Sequence, residues 1–307
     1  MKGTTLRRNP GPDWGPAFVL RAEGVLPRAV FRFLLKVGVW GAVAGMPDQR
    51  RWSREYLTVV FGRPARLVEV WAHFLALMEA LMDLMRAGQG APVRCAVEPA
   101  EAGEFEALAR APGPALFGTF HFGASDLLGY LLADWGRRVS ILRLRVDNSP
   151  ETGALAERFG DKVSFLWVND PARLIFDLKT AIEAGASLAL KCDRMEFSAR
   201  NEPFRFLGAP RLFPFTIYHL AILFNLPVVF CIAVRGEREL ALQVRASPVF
   251  RPDPLASREE NLAAGRRHFQ AVLDQLELVL RRYPYLWFNF LPLNPVVEEA
   301  TTAAATR

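Results

Sequence analysis

The feature that most constrains the fold of this chain is an alternation of short apolar runs with helix-like stretches, which begins near Val93. The apolar runs have the length of buried strands and occupy residues 115–120, 139–144, 163–167, 187–191, 228–234 and 240–246. Apolar residues at helical spacing separate several of them, for example at 171–183 and 215–224. Because strands that alternate with helices are typical of parallel sheets, the sequence predicts an α/β fold with a largely parallel sheet sandwiched by helices.

The chain that precedes this alternation has a different pattern. Residues 14–90 carry apolar side chains at helical spacing, most clearly at 64–85, and predict an N-terminal helical region. Four segments follow from these patterns. They are a flexible basic N-terminus at 1–13, a helical membrane-associating region at 14–90, an α/β domain at 91–295 and a disordered tail at 296–307.

The most informative motif is a histidine followed five residues later by an aspartate, His121 and Asp126, in Phe-Gly-Thr-Phe-His-Phe-Gly-Ala-Ser-Asp. The histidine lies between a predicted strand and a predicted helix, where ligands bind in open α/β sheets. Asp126 can fold back across the turn and hold the imidazole in one tautomer, so that His121 acts as a general base. The pair favours an enzyme that activates a substrate hydroxyl. The alternative is a structural histidine near a helix cap.

Charged residues also follow two other predicted strands. Arg145 ends the run at 139–144, and Asp193 with Arg194 ends the run at 187–191. In a parallel sheet Arg145 shares an edge with His121, so we expect it to bind substrate. A guanidinium at Arg145 suits a phosphate group. The alternatives are a surface pair between Arg145 and Asp147, and a structural ion pair between Asp193 and Arg194.

Positive charge is concentrated at the N-terminus. Residues 1–66 hold twelve basic and four acidic residues, a net charge of +8, whereas the whole chain has +6. Such an asymmetry indicates an anionic partner at one end of the molecule. No nucleic-acid-binding motif accompanies these charges, and the neighbouring residues are aliphatic. A membrane surface is therefore expected rather than nucleic acid.

The segment at 25–46 indicates how that surface is bound. Arg28, Arg32 and Lys36 recur every four residues and fall on one helix face, with apolar residues around the rest. Three cations in the first half argue against a spanning helix. An amphipathic helix in the membrane interface fits better. The alternative is a helix packed on the catalytic domain with a solvated basic face.

Several enzyme classes lack their sequence motifs in this chain. It has no Gly-x-Ser-x-Gly elbow, no Walker or dinucleotide glycine loop, and no cysteine pair with zinc-ligand spacing. Cys95, Cys192 and Cys231 lie far apart, which fits a reducing compartment. We therefore expect no cofactor and no metal.

Four blocks of the sequence, in order, resemble the lysophospholipid acyltransferase superfamily. They are Arg51–Gly62, the His121–Asp126 block, Arg145 with Asn148, and Cys192–Arg194 followed by the aromatic stretch that contains Phe204, Phe206, Gly208 and Pro210. The ending 284–290 is similar too, and the resemblance covers roughly residues 14–292. It is strongest to the bacterial late acyltransferases of lipid A biosynthesis, and within them to relatives found with aryl-polyene pathways. Many relatives carry a transmembrane segment where this chain has 25–46.

The resemblance implies a glycerolipid acyltransferase-like fold and an O-acyltransferase. The donor would be an acyl carrier protein or coenzyme A thioester, the acceptor a lipid or glycolipid, and the location the cytoplasmic face of the bacterial inner membrane. It implies that His121 and Asp126 are catalytic and that Arg145, Asp193, Arg194, Phe204, Phe206 and Gly208 bind substrate.

Two further expectations concern the site. The oxyanion would meet the backbone N–H groups of residues 123–125 or Arg145. Phe204, Phe206, Phe213 and Phe215 would line an acyl-chain channel, or else belong to the core. Two other functions remain open, a non-catalytic lipid-binding protein and an acyl-thioesterase on the same fold.

Overall fold

The computed structural model describes residues 15–144, 160, 162–198, 200–236 and 241–297. Helices form the N-terminal region: α1 (Gly15–Val25), α2 (Arg28–Gly45), α3 (Pro47–Phe61) and α4 (Leu67–Gly88). The predicted helical region is therefore confirmed. Proline at the first position of α3 and a left-handed Gly62 at its end set the bounds of that helix.

Within the described ranges, no single helix has both the length and the apolar character needed to cross a bilayer, whereas α2 and α3 meet both criteria together, with a bend of 98° between them.

The rest of the described chain alternates strands with helices, as predicted. The elements are β1 (Arg94–Val97), α5 (Pro99–Arg110), β2 (Leu116–Thr119), α6 (Leu128–Asp134), β3 (Val139–Arg143), β4 (Val163–Trp167), α7 (Pro171–Glu183), β5 (Ser187–Lys191), β6 (Asn201–Phe206), β7 (Ala209–Pro214), α8 (Thr216–Phe224), β8 (Val228–Arg235), β9 (Ala241–Ala246) and α9 (Arg258–Arg282).

Seven of these strands form one sheet in the order β1-β9-β8-β2-β5-β3-β4. The pairings are parallel except that between β8 and β9. Because β2 and β8 are buried along almost their whole length, they read as continuous apolar runs. The fold class predicted from the sequence, a mostly parallel sheet flanked by helices with a helical N-terminal region, is confirmed.

The β6–β7 hairpin corrects one expectation. The sequence predicted that its phenylalanines line an acyl-chain channel or else belong to the core. Phe204, Phe206 and Phe213 lie in two antiparallel strands, and Phe215 directly follows the second strand. Phe204, Phe206, Phe213 and Phe215 are 5, 1, 0 and 0 % exposed and belong to the main core, where Phe204 and Phe213 pack against Phe269 of α9. Alternating side chains of a strand point to one face, so this face is core.

Candidate active site

His121 lies two residues beyond the end of β2, at the carboxyl edge of the sheet. The turn after it requires glycine at position 123, because φ is +53° there and a Cβ would collide with the carbonyl oxygen of Ala233. The turn leads through a 3₁₀ turn at Ser125–Leu127 into α6. The motif therefore occupies the strand-to-helix junction that the sequence predicted.

Asp193 is the carboxylate that holds the imidazole. It lies two residues beyond β5, and the parallel register Thr119↔Lys191 brings the ends of β2 and β5 side by side. Asp193 Oδ1 is 2.7 Å from His121 Nδ1, and Oδ2 accepts a hydrogen bond from the His121 backbone N–H at 2.8 Å. The ring Nδ1–H thus donates to Asp193, and in this tautomer Nε2 is the nitrogen with the basic lone pair.

Asp126 has other partners, which corrects its predicted role. Both of its carboxylate oxygens lie 2.9 Å from Lys191 Nζ, and Arg143 is 3.7 Å away. Lys191 is the last residue of β5 and Arg143 the last of β3, so these cations reach the same edge. Asp193 rather than Asp126 therefore makes the hydrogen bond that orients His121. The parallel pairing of β2 with β5 brings Asp193 next to His121, although the two are 72 residues apart in sequence.

The electrostatics keep the imidazole neutral and the carboxylate charged. Burial, with the positive charges of Arg194 and Lys191, lowers the pKa of His121 to about 3, although Asp193 acts in the opposite direction. Burial alone would raise the pKa of Asp193, but the His121 ring, Arg194 and the Trp287 indole hold it below its usual range. A neutral imidazole beside a carboxylate is the state that a general base needs at neutral pH.

The backbone N–H groups of residues 123–125, in the turn after His121, already donate hydrogen bonds within the protein. Gly123 donates to Leu286 O at 2.7 Å, Ala124 to Ala233 O at 3.0 Å, and Ser125 to Phe122 O at 3.1 Å. The expectation that they form an oxyanion hole is therefore wrong for this conformation. Among the described residues, the cationic side chains that line the site are those of Lys191, Arg143 and Arg194.

An apolar cavity of about 350 Å³ opens beside His121. Its floor is one face of the sheet, where Phe117, Thr119 and His121 point the same way along β2 and its extension. Helices α4 and α6 supply the walls. The lining includes Leu77, Leu81, Leu84, Phe105, Leu128, Gly129, Leu132, Ile141, Ala189, Cys231, Phe288 and Phe290.

The other predicted site residues are distributed unevenly. Arg194 lines the cavity and donates to Phe288 O at 3.0 Å. Phe204 and Phe206 belong to the core, and Gly208 lies at the exposed turn of the β6–β7 hairpin, so the structure does not bring these three to the cavity. Arg145 lies outside the described residues.

Sequence reasoning missed three contributors: Lys191, Arg143 and Trp287. The Trp287 indole donates to Asp193 Oδ2 at 2.8 Å. Lys191 and Arg143 are the charged ends of otherwise apolar strands, a signal that could have identified them. Within the described ranges, no group of three or more histidine, cysteine, aspartate or glutamate side chains converges on a position for a metal ion.

Comparison with known proteins shows a likeness in structure but not in sequence. No family model matches the sequence, and no curated protein matches it significantly. Among solved structures, the chain is similar to the 1-acyl-sn-glycerophosphate (LPA) acyltransferase PlsC from Thermotoga maritima, with 13% identity and a TM-score of 0.39, over 82% of this chain and 98% of that one.

Proposed function

We propose that the protein is an O-acyltransferase that moves a fatty acyl chain from a thioester to a hydroxyl group of a lipid or glycolipid. The observation that carries this proposal is the His121–Asp193 pair at the mouth of an apolar cavity. A base oriented by a carboxylate beside a space for an alkyl chain suits deprotonation of an alcohol next to a bound acyl group.

In the proposed reaction, His121 Nε2 takes the proton from the acceptor hydroxyl as its oxygen attacks the thioester carbonyl. A C–O bond forms, and the carbonyl π electrons move to the oxygen. The tetrahedral intermediate then collapses, the C–S bond breaks, and the thiolate takes the proton from the imidazolium. Asp193 stabilises that imidazolium in both steps.

The cations at the mouth of the cavity supply positive charge where it is needed. Lys191, Arg143 and Arg194 line the site, and two of them share Asp126 as a counter-ion. Positive side chains aimed at a developing oxyanion stabilise the transition state. The same charges suit the phosphates of a coenzyme A or phosphopantetheine donor, so both carriers remain in the proposal.

The cavity fits the acyl chain. From His121 the floor runs down the sheet through Thr119 to Phe117, a distance of roughly 13 Å at about 3.3 Å per residue. Beyond Thr119 the lining is almost entirely apolar. Each CH₂ buried there contributes about 0.8 kcal/mol of binding free energy, which would fix the carbonyl beside the imidazole.

The proposal also places the protein on a membrane. Along α2, Arg28, Arg32 and Lys36 are exposed together with Phe33 and Val37, which are 66 and 51% exposed. Exposed cations beside exposed apolar side chains suit an anionic lipid surface. We therefore propose peripheral attachment at the cytoplasmic face of a bacterial inner membrane, with a lipid A-like or aryl-polyene-type lipid as acceptor.

The test is lipid mass spectrometry of a strain that lacks the gene, complemented with the wild type or with His121→Ala. A lipid that loses one acyl chain and regains it only with the wild-type gene supports the proposal. Free fatty acid released from palmitoyl-coenzyme A by the purified protein, without an acylated lipid, would assign a thioesterase instead. Restoration by His121→Ala would indicate a lipid-binding protein.

A further inference from the structure

The residues behind the catalytic pair form a continuous hydrogen-bonded path to the N-terminal helices. One peptide group lies at its centre, that between Trp287 and Phe288. Its N–H donates to His121 O at 2.7 Å, and its carbonyl oxygen lies 2.8 Å from His73 Nε2 on α4. The same peptide group therefore contacts both His121 and His73.

The side chain of Trp287 makes the second connection. Its indole N–H donates to Asp193 Oδ2 at 2.8 Å, while Asp193 Oδ1 faces the His121 ring. Trp287 is 1% exposed and Asp193 2% exposed, so no bulk water competes for this bond. Without the indole, the His121 backbone N–H would be the one donor left at Oδ2 among the described residues, and the carboxylate could rotate away from the ring.

His73 holds the peptide group between Trp287 and Phe288 in place through a hydrogen bond to its carbonyl oxygen. It is fully buried, and its Nδ1 lies 2.8 Å from Ser53 Oγ on α3. A carbonyl oxygen only accepts, so Nε2 carries the proton donated to Trp287 O, and Nδ1 accepts from the Ser53 hydroxyl. The ring also stacks on Phe290, with centroids 4.3 Å apart. His73 is thus held in one tautomer and one orientation.

Burial of a polar ring costs free energy unless each nitrogen is hydrogen-bonded. His73 satisfies both nitrogens, and its bond to Trp287 fixes the peptide group that contacts His121. Hydrogen bonds therefore link Ser53 to His73, His73 to the Trp287 carbonyl oxygen, and the Trp287 indole to Asp193.

We propose that Trp287 and His73 are positioning residues of the catalytic base: Trp287 fixes the Asp193 carboxylate, and His73 fixes Trp287, so that His121 keeps its Nδ1–H tautomer. This inference rests on the proposed acyl transfer for its kinetic consequence only. The tautomer of His121 is a property of the free protein.

The experiment uses the full chain labelled with ¹⁵N-histidine. Four histidines give four ring systems, which single substitutions assign. Wild type, Trp287→Phe, His73→Gln and His73→Leu are compared, with Tyr218→Phe as the matched control. Tyr218 is also a fully buried aromatic donor, but its hydroxyl pairs with His268 Nδ1. Turnover is measured with palmitoyl-coenzyme A and palmitoyl-acyl carrier protein as donors and, as acceptor, the lipid extract of a strain that lacks the gene.

We expect one Nδ1–H tautomer for His121 in the wild type and in Tyr218→Phe, and a mixture of tautomers in Trp287→Phe and His73→Leu. Their kcat should fall about tenfold or more with KM for the donor unchanged, because orientation of the base acts on the chemical step. His73→Gln should restore both readouts, since its amide can donate to Trp287 O.

The proposal is overturned if Trp287→Phe leaves the His121 tautomer unchanged, or if His73→Gln and His73→Leu behave alike. Should Trp287→Phe fail to fold, the two His73 variants decide the question. If the wild type transfers no acyl group, the proposed function fails, while the ring spectra still test the positioning.

Discussion

At the scale of single residues, the position of His121 was predictable and its hydrogen-bond partner was not. His121 follows an apolar run and precedes a small-residue turn, which is enough to place it at the sheet edge. Asp126 was preferred as its partner because it is near in sequence, whereas Asp193 is near in space. Which strand neighbours β2 depends on non-local pairing that local patterns do not encode.

The pH dependence of activity follows from this pair. The pKa of His121 is lowered from 6.5 to about 3 by burial and by Arg194 and Lys191. The imidazole therefore stays neutral as the pH falls through 6.5, and Asp193 stays ionised because its pKa is lowered as well. We expect kcat/KM to show no loss from base protonation between about pH 8 and pH 5.

This profile is measured with a donor whose charge does not change in that range, with protein stability followed in parallel. A midpoint near the ordinary histidine value, with the protein still folded, would contradict the burial of the base.

At the scale of elements, strand and helix patterns were predictable, but the β6–β7 hairpin was not. Pro203, Pro210 and Pro214 lie within its strands, and proline is typical of edge strands and loops. The alternation of Phe204 with Phe206 was the available signal for a strand with one buried face. The cavity beside His121 is instead lined by β2, β3, β5, α4 and α6.

Chain-length preference should therefore respond to the sheet floor and not to the hairpin. Ala189 lies between Phe117 and Ile141 on that floor. We expect Ala189→Phe to lower kcat/KM for long acyl donors more than for short ones, by roughly fourfold per displaced CH₂, which corresponds to about 0.8 kcal/mol. The measurement is kcat/KM across a series of acyl-coenzyme A donors.

The control is Phe206→Leu in the hairpin core, which should lower thermal stability and leave the rank order of donors unchanged. A change of rank order with Phe206→Leu, but not with Ala189→Phe, would mean that the hairpin, and not the sheet floor, lines the acyl channel.

At the scale of the whole molecule, Arg21, Arg28, Arg32 and Lys36 of the basic N-terminal fifth lie on α1 and α2, which also carry exposed apolar side chains. Each cation near an anionic bilayer contributes about 1 kcal/mol to binding. Replacing Arg28, Arg32 and Lys36 together with glutamine should weaken binding to phosphatidylglycerol vesicles by about 3 kcal/mol at low salt and reduce its salt dependence.

The matched variant carries the same charge change elsewhere, with Arg251, Arg267 and Arg282 replaced by glutamine; all three are exposed. Vesicle co-sedimentation at several salt concentrations separates the two. Equal losses in both triple variants would mean that net charge, and not the α2 surface, determines membrane binding.

The most direct test of the central claim is the turnover of three single variants in the same acyl-transfer assay: His121→Ala, Asp193→Asn and Asp126→Asn. Because Asp193 makes the hydrogen bond to the ring and Asp126 pairs with Lys191, we expect kcat to fall about 10²–10⁴-fold for the first two and clearly less for the third, with all three folded. Normal turnover of folded Asp193→Asn, together with loss of activity in Asp126→Asn, would contradict the account and restore Asp126 as the partner of the base.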